Sequence, residues 1–283
     1  MSEIRHERTI LQQRDLKLRA ATYIVTILIT ILVLSPFIIS LTTAGFDASG
    51  AMEDKSEIQK FFANPPKRIL RYWNQVVAFC KSSLLVSLGN SAIVTGSTCI
   101  GCMYISALTA YGLTAYEWKF KKAVTTFIII VMMLPTTISF IGYYQMIQRL
   151  HLINNLVVVI LPAVASPITV FFMKMYLQAT FSRELVESAR IDGAGEFRIF
   201  NQLILPMLKP AIATQLIFCF SQSWYDTYLP SILLIKEEFR TYAIAYNIYV
   251  IKPLVLTVAP PIIAYLFCAK HIVEGVALGS VKQ

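Results

Sequence analysis

Cys99 and Cys102 stand at C-x-x-C spacing, with which two thiolates hold a metal or cycle through a disulfide. The pair lies inside an apolar run with no second pair, so both read as buried structural thiols, and the five cysteines form no disulfide framework. His6, His151 and His271 are far apart and offer no ligand spacing, so neither a metal nor a cofactor is expected. One acid, Asp226, falls inside an apolar run, within Ser223-Trp224-Tyr225-Asp226-Thr227-Tyr228. An acid at a membrane-helix centre costs about 2.5–3.5 kcal/mol on insertion scales, so it normally faces protein or water. Asp226 therefore either lines a path or gate, or makes a structural hydrogen bond to another helix or a partner subunit. Trp224 and Tyr225, with Tyr228, Tyr143 and Tyr144, can stack on sugar faces or form an interfacial aromatic belt. No paired His, Ser or Asp constellation lies within the apolar runs, and the phosphate-binding G-x-x-x-x-G-K-[ST] is absent. An intramembrane enzyme would need such a constellation, so no enzyme is expected.

A second set of residues suits contact with a soluble partner. The segment 182–210, SRELVESARIDGAGEFRIFNQLILPMLKP, is a charge-bearing insert between two long apolar runs. From Arg183 to Asp192 it reads as an amphipathic helix. Leu185, Val186 and Ala189 share one face, and Arg183, Glu184, Glu187 and Arg190 the other. Ser182 is the expected N-cap, and Glu184 is a first-turn acid favoured by the helix dipole. Gly193 and Gly195 break the helix. A second piece follows, with Phe197, Phe200, Leu203 and Ile204 on one side and Pro206 and Pro210 ahead of the next apolar run.

The elements that must carry these residues are membrane helices. The chain of 283 residues is 56% hydrophobic and 14% charged, with a mean hydropathy of +0.62. Soluble domains carry nearer one charged residue in four, and the shortage here is concentrated in long charge-free windows. Six spans are predicted, at about 22–41, 84–110, 123–147, 152–176, 211–235 and 254–269, which makes an all-α polytopic membrane protein. Pro135 falls in the third span, and Pro162 and Pro167 in the fourth, where kinks are expected. In the second, Ala92 with Gly96 and Ser97 with Gly101 place small residues at spacing four, which permits close helix approach. Between the first two spans lies a polar section with Asn64-Pro65-Pro66 and the basic cluster Lys67, Arg68 and Arg71. An even span count puts both termini on one side, and a slight excess of Lys and Arg favours the cytoplasm for them. The net charge of +9 fits basic membrane flanks, and no nucleic-acid-binding motif is present.

The order of residues in the insert adds a resemblance. Glu187-Ser188-Ala189, then Asp192-Gly193-Ala194, then Ile204-Leu205-Pro206 resembles the EAA loop of ABC importer permeases. Gly193 comes four residues after Ala189, as in that pattern; Ile204 comes eleven after Gly193 against ten, with Leu203 filling the apolar slot. Ser188 replaces a second small residue. The string Ala189–Ala194 (ARIDGA), followed by Phe197 and Phe200, and the C-terminal Gly275–Gln283 are similar to the carbohydrate branch of maltose-permease type. Ser-Trp-Tyr-Asp at 223–226 is similar to that branch's S-W-N-D, with Tyr225 where Asn is usual.

This resemblance implies a type I ABC importer permease of the bacterial plasma membrane. A cytoplasmic N-terminal segment (1–21) precedes one permease domain (22–283), and the EAA loop at 182–210 is cytoplasmic. It further implies four kinds of partner: a second permease subunit in a heterodimer, an ATPase dimer, an extracytoplasmic solute-binding protein and a carbohydrate substrate. Glu187, Ala189 and Gly193 would contact the ATPase, with Arg183, Glu184 and Arg190 as salt-bridging neighbours. The alternatives are an importer permease for another solute and an ion-coupled secondary transporter; the latter calls for inverted repeats and several intramembrane polar sites, which this chain does not display.

Overall fold

The computed structural model describes residues 19, 22–35, 85–247 and 258–270. Every described element is helical, and no strand occurs among the described residues. Long charge-free apolar stretches demand this outcome, because lipid offers backbone amides no partner outside their own segment. The chain divides into two compact units, Met1–Val76 and Val77–Gln283. Helix α1 (Thr22–Ser35) represents the first. In it the hydroxyls of Thr26 and Thr30 donate to the carbonyls of Thr22 and Thr26, each at 2.8 Å. The remainder of the first predicted span, the polar section with its basic cluster, the start of the sixth span and the C-terminal segment 271–283 lie outside the described residues.

Helix α2 (Leu85–Ala115) organises the second unit. It runs five residues past the predicted end, because Tyr111 and Leu113 are buried and hold the helix beyond its apolar window. Its 31 residues give a rod of about 46 Å, longer than the ~30 Å hydrocarbon layer. The loop predicted at 111–122 shrinks to 116–120. Helices α3 (Lys121–Met133) and α4 (Thr136–Arg149) correct the third predicted span, which is broken at Pro135 with a 99° bend where a kink was expected. The proline ring excludes helical geometry from the residue before it, and Leu134 is extended at φ −73°, ψ 134°.

Helices α5 (Val157–Val164) and α6 (Pro167–Thr180) together form a 24-residue span, Val157–Thr180. It starts later than predicted, since His151 and Asn154 adopt positive φ in a turn ahead of it. The Ser166 hydroxyl caps α6 by accepting the Thr169 N–H at 3.4 Å, and Pro167 occupies the first turn. Gly101 allows α2 and α5 to meet closely, for a Cβ there would stand 2.8 Å from a Val164 methyl; at Gly96 a Cβ would meet open space.

Helices α7 (Arg183–Ile191) and α8 (Glu196–Met207) form the insert. Residues Phe200–Ile204 within α8 are a π turn. Helices α9 (Lys209–Tyr225) and α10 (Tyr228–Leu233) follow, and the direction changes by 76° at Leu208. The predicted fifth span is thus two helices with a break at Asp226. A 3-10 turn (Glu237–Phe239), α11 (Tyr242–Asn247) and α12 (Val258–Lys270) complete the described chain.

Two apolar cores sit at opposite ends of α2. One joins Met103, Ala107, Ala110 and Tyr111 to Met173 and Leu177 of α6 and to Phe200, Ile204 and Leu208. The other joins Val94 to Val158, Leu229, Leu233 and Ile244. Between them runs a seam of small polar side chains on one face of α2. Ser223 donates to Thr95 Oγ1 at 3.3 Å, Cys102 meets Thr169 at 3.8 Å, and Thr169 donates to Gln215 Oε1 at 3.4 Å. Small side chains with internal hydrogen bonds let membrane helices pack closely.

Candidate functional site

Helix α7 has the strongest segregation of polar and apolar faces in the insert, and its inward side is narrow. Val186 is buried and Ala189 half-buried against the α2–α6 core, whereas Leu185, expected on that side, is 40% exposed. Ser182 has the extended backbone of an N-cap, but its side chain makes no capping hydrogen bond. Glu184 occupies the first turn and Arg190 the last, both favourable for the helix dipole. The helix closes on a Schellman turn. The Gly193 N–H donates to the Arg190 carbonyl and the Ala194 N–H to the Ala189 carbonyl, each at 3.0 Å. Gly193 has φ +81° with open space where a side chain would stand, so backbone conformation alone selects glycine there.

The outward side carries the groups left over. Glu184 and Glu187 are exposed and form no ion pair among the described residues. Ile191 is 86% exposed and Phe197 73% exposed, one on each side of the glycine turn. Phe197 was expected on the buried side with Phe200 and Ile204, which are buried. Phe197 lies one turn ahead of Phe200, before the π turn, so the buried side of α8 begins at Ile199 and Phe200 and leaves Phe197 outside it.

Arg183 and Arg190 are engaged within the chain. Arg183 donates to Glu117 Oε1 at 3.2 Å, and Lys121 reaches the same oxygen at 3.0 Å. Glu117 is held below its ordinary acidity range, by Lys121 first and then Arg183. Arg190 Nε donates to Glu196 Oε1 at 2.6 Å, and its guanidinium lies 5.6 Å from the centre of the Tyr116 ring. The other carboxylate oxygen of Glu196 accepts from the Tyr111 hydroxyl at 3.2 Å and from the Tyr116 hydroxyl. The hydrogen bond from Arg190 leads in pulling the Glu196 carboxyl below 4.5, followed by that from Tyr116. Burial, followed by the bond to Glu196, raises Tyr116, which stays protonated as a donor. Glu196, Tyr111 and Tyr116 were missed in the sequence. Each is ordinary in its own segment, and the 80 or more residues between partners hide the cluster.

The remaining predicted site residues lie near the break between α9 and α10. Asp226 is the C-cap of α9, and its carboxylate accepts the Tyr228 N–H at 2.9 Å, which starts α10. Trp224 is buried in a stack between Phe220 at 5.9 Å and Tyr242 at 6.1 Å, whereas Tyr225 is exposed. Those three sit on α9 beyond its span from the insert, so the structure makes two separate regions of the predicted residues.

A docked loop at one end of a helical membrane unit is the arrangement that the comparisons address. Residues 103–274 match the family model described as binding-protein-dependent transport system inner membrane component. The chain belongs to this family. It is therefore a membrane permease subunit of an ABC importer, not an enzyme: ATP hydrolysis resides in a separate subunit and a binding protein supplies the solute. The permease is 30% identical to the arabinooligosaccharides transport system permease protein AraQ of Bacillus subtilis (strain 168), covering 82% of this chain and 87% of that protein. It is 29% identical to the melibiose/raffinose/stachyose import permease protein MelC of the same organism, over 87% of this chain and 91% of that protein. The fold is similar to a solved bacterial ABC transporter involved in the import of the acidic polysaccharide alginate, with a TM-score of 0.64 and 17% identity. That match spans 92% of this chain and 94% of the other.

Proposed function

We propose that this permease imports a sugar or oligosaccharide, and that the loop 182–210 is where an ATPase subunit drives it. The observation that carries the docking assignment is the outward side of the loop. Ile191 and Phe197 stand exposed around the Gly193 turn, beside unpaired Glu184 and Glu187, on an element whose other side is fixed to the bundle. Exposed apolar groups rimmed by charge are the usual makings of a protein contact. Glu187 and Gly193 lie in this surface, and Ala189, half-buried against the core, sits behind it. Arg183, Glu184 and Arg190 flank it, with the two arginines shaping the loop through their internal ion pairs.

The carbohydrate assignment draws on the names of AraQ and MelC, both of which refer to oligosaccharide import. Near the α9–α10 break, Tyr225 and Tyr228 are the exposed rings that could meet a solute, and Asp226 and Trp224 support that region. Six spans are supported by α2, the α5–α6 pair, the bent α3–α4 pair, α9 with α10, and the shorter apolar helices α1 and α12. Residues 1–21 and the C-terminus are then cytoplasmic around one permease domain at 22–283. A second, non-identical permease subunit completes the pathway, with the ATPase dimer below and the binding protein outside. ATP-driven closure of the ATPase pair moves the docking loops and opens the cavity outward, and hydrolysis resets it.

The test is purification of the tagged chain from its native membrane. A P-loop ATPase, a second permease and a sugar-binding protein should accompany it, and Ile191→Ser with Phe197→Ser should release the ATPase alone. In vesicles made from the complex, uptake of radiolabelled arabino-oligosaccharides or α-galactosides should require ATP. Retention of the ATPase by the double variant would overturn the docking surface. Uptake of phosphate or amino acids with no oligosaccharide uptake would overturn the substrate class.

A further inference from the structure

Helix α7 is fastened at both ends to consecutive residues of the loop that follows α2. Arg183 at its start meets Glu117, and Arg190 at its end meets Tyr116 and Glu196. The first of these contacts is open to water, where ion pairs hold little. The second is built differently. Glu196 rides on α8, and its two oxygens are divided among donors from three other elements: Arg190 of α7 on Oε1, and Tyr111 of α2 with Tyr116 of the loop on Oε2. The rings of Tyr111 and Tyr116 meet edge to face at 5.6 Å, and Tyr111 also contacts Phe200 at 5.9 Å. One carboxylate thus orients four elements at once.

Apolar contact does not supply this orientation by itself, since α7 buries only Val186 fully. A single buried side chain fixes the distance of a helix from its support but leaves rotation about the contact free. We propose that Glu196 is a positioning residue of the transport cycle: with Arg190, Tyr116 and Tyr111 it forms the joint that passes displacement of the docking loop into helix α2. This rests on the assignment of the loop as the ATPase contact, and it adds a group that faces away from the ATPase. Helix α2 is the element suited to receive the displacement, because α5, α6 and α9 all pack against it. The donor pattern is suited to an anionic acceptor: Glu196 stays ionised and Tyr116 stays protonated at neutral pH.

The experiment uses the complete transporter in lipid vesicles and compares the unaltered chain with Glu196→Gln, Tyr116→Phe and the conservative Glu196→Asp. Two quantities are read: backbone amide exchange across 183–204, and solute imported per ATP hydrolysed. A glutamine offers one acceptor oxygen in place of two and no charge, so exchange should rise across 189–196 while α2 stays protected. Import per ATP should fall about five-fold or more, the lower end of ordinary inter-site coupling. Glu196→Asp keeps the charge and both acceptor oxygens, so it should recover at least half of the import per ATP that Glu196→Gln loses, which a merely structural defect would not do. Faster exchange with unchanged import per ATP would overturn the proposal and leave the docking surface standing. Loss of the ATPase from Glu196→Gln, with the double variant at Ile191 and Phe197 still binding it, would overturn both, because Glu196 would then be the contact itself.

Discussion

Two residues show how backbone geometry decides what a side chain is for. Gly193 has φ +81° and free space around it, so alanine there meets no clash and only conformational strain. Gly193→Ala should cost about 1–2 kcal/mol, and Gly193→Asn less, because asparagine tolerates the left-handed region. Thermal unfolding of the purified chain reads both. Asp226 offers a second contrast. Its carboxylate accepts the N–H groups of Tyr228 and Leu229 at a helix break, and asparagine supplies a similar acceptor. Asp226→Asn should therefore leave stability and uptake near those of the unaltered chain, whereas Asp226→Ala should lose about 1 kcal/mol, as helix N-caps do. Abolished uptake in a stable Asp226→Asn protein would give the charge itself a role in the path. The sequence left Asp226 open between path and structural hydrogen bond because a lone acid in an apolar run looks the same in both cases. Only the helix break beside it distinguishes them.

Among the elements, the helical class and the amphipathic helix of the insert were legible because charge-free windows and a segregated amphipathic face are patterns of single segments. The length of α2 was not, since Tyr111 packs with residues from α6 and α8 that no local window includes. Phe197 was misplaced because the apolar pattern of the second piece starts a turn earlier than its contact with the core, which begins at Ile199 and Phe200. The Gly101 contact was legible as spacing and is used, and the similar Gly96 is not. Gly101→Ala should force α5 away from α2 and cost about 1–3 kcal/mol as overpacking. Val164→Ala in the same chain should recover most of that cost in thermal unfolding measurements. No recovery would mean that the two helices do not meet there.

At the scale of the molecule, acid offers a way to separate the loop from the bundle. Glu196 has its folded carboxyl held below the ordinary 4.5, so its stabilisation is present above that value and lost as pH falls through the folded one. The ion pair is half exposed, which limits it to about 0.2–1 kcal/mol. Amide exchange across 189–196, corrected for intrinsic rate, should therefore rise in acid below 4.5 and show no such transition in Glu196→Gln. An identical acid response in both proteins would place the transition elsewhere. The turn at Leu208 has a consequence of another kind. Leu208 is fully buried, its N–H donates to Ile204 at 3.0 Å, and its carbonyl accepts from Ile212 at 2.8 Å, so hydrogen bonding continues through the 76° change of direction. The corner is a stiff elbow, and α9 is its long arm. The 17 residues of α9 reach about 25 Å, so a tilt of about 10° at the short arm swings the far end by about 4 Å. Mechanical advantage of that size converts a modest push at the membrane surface into a movement wide enough to part side chains at the Asp226 break.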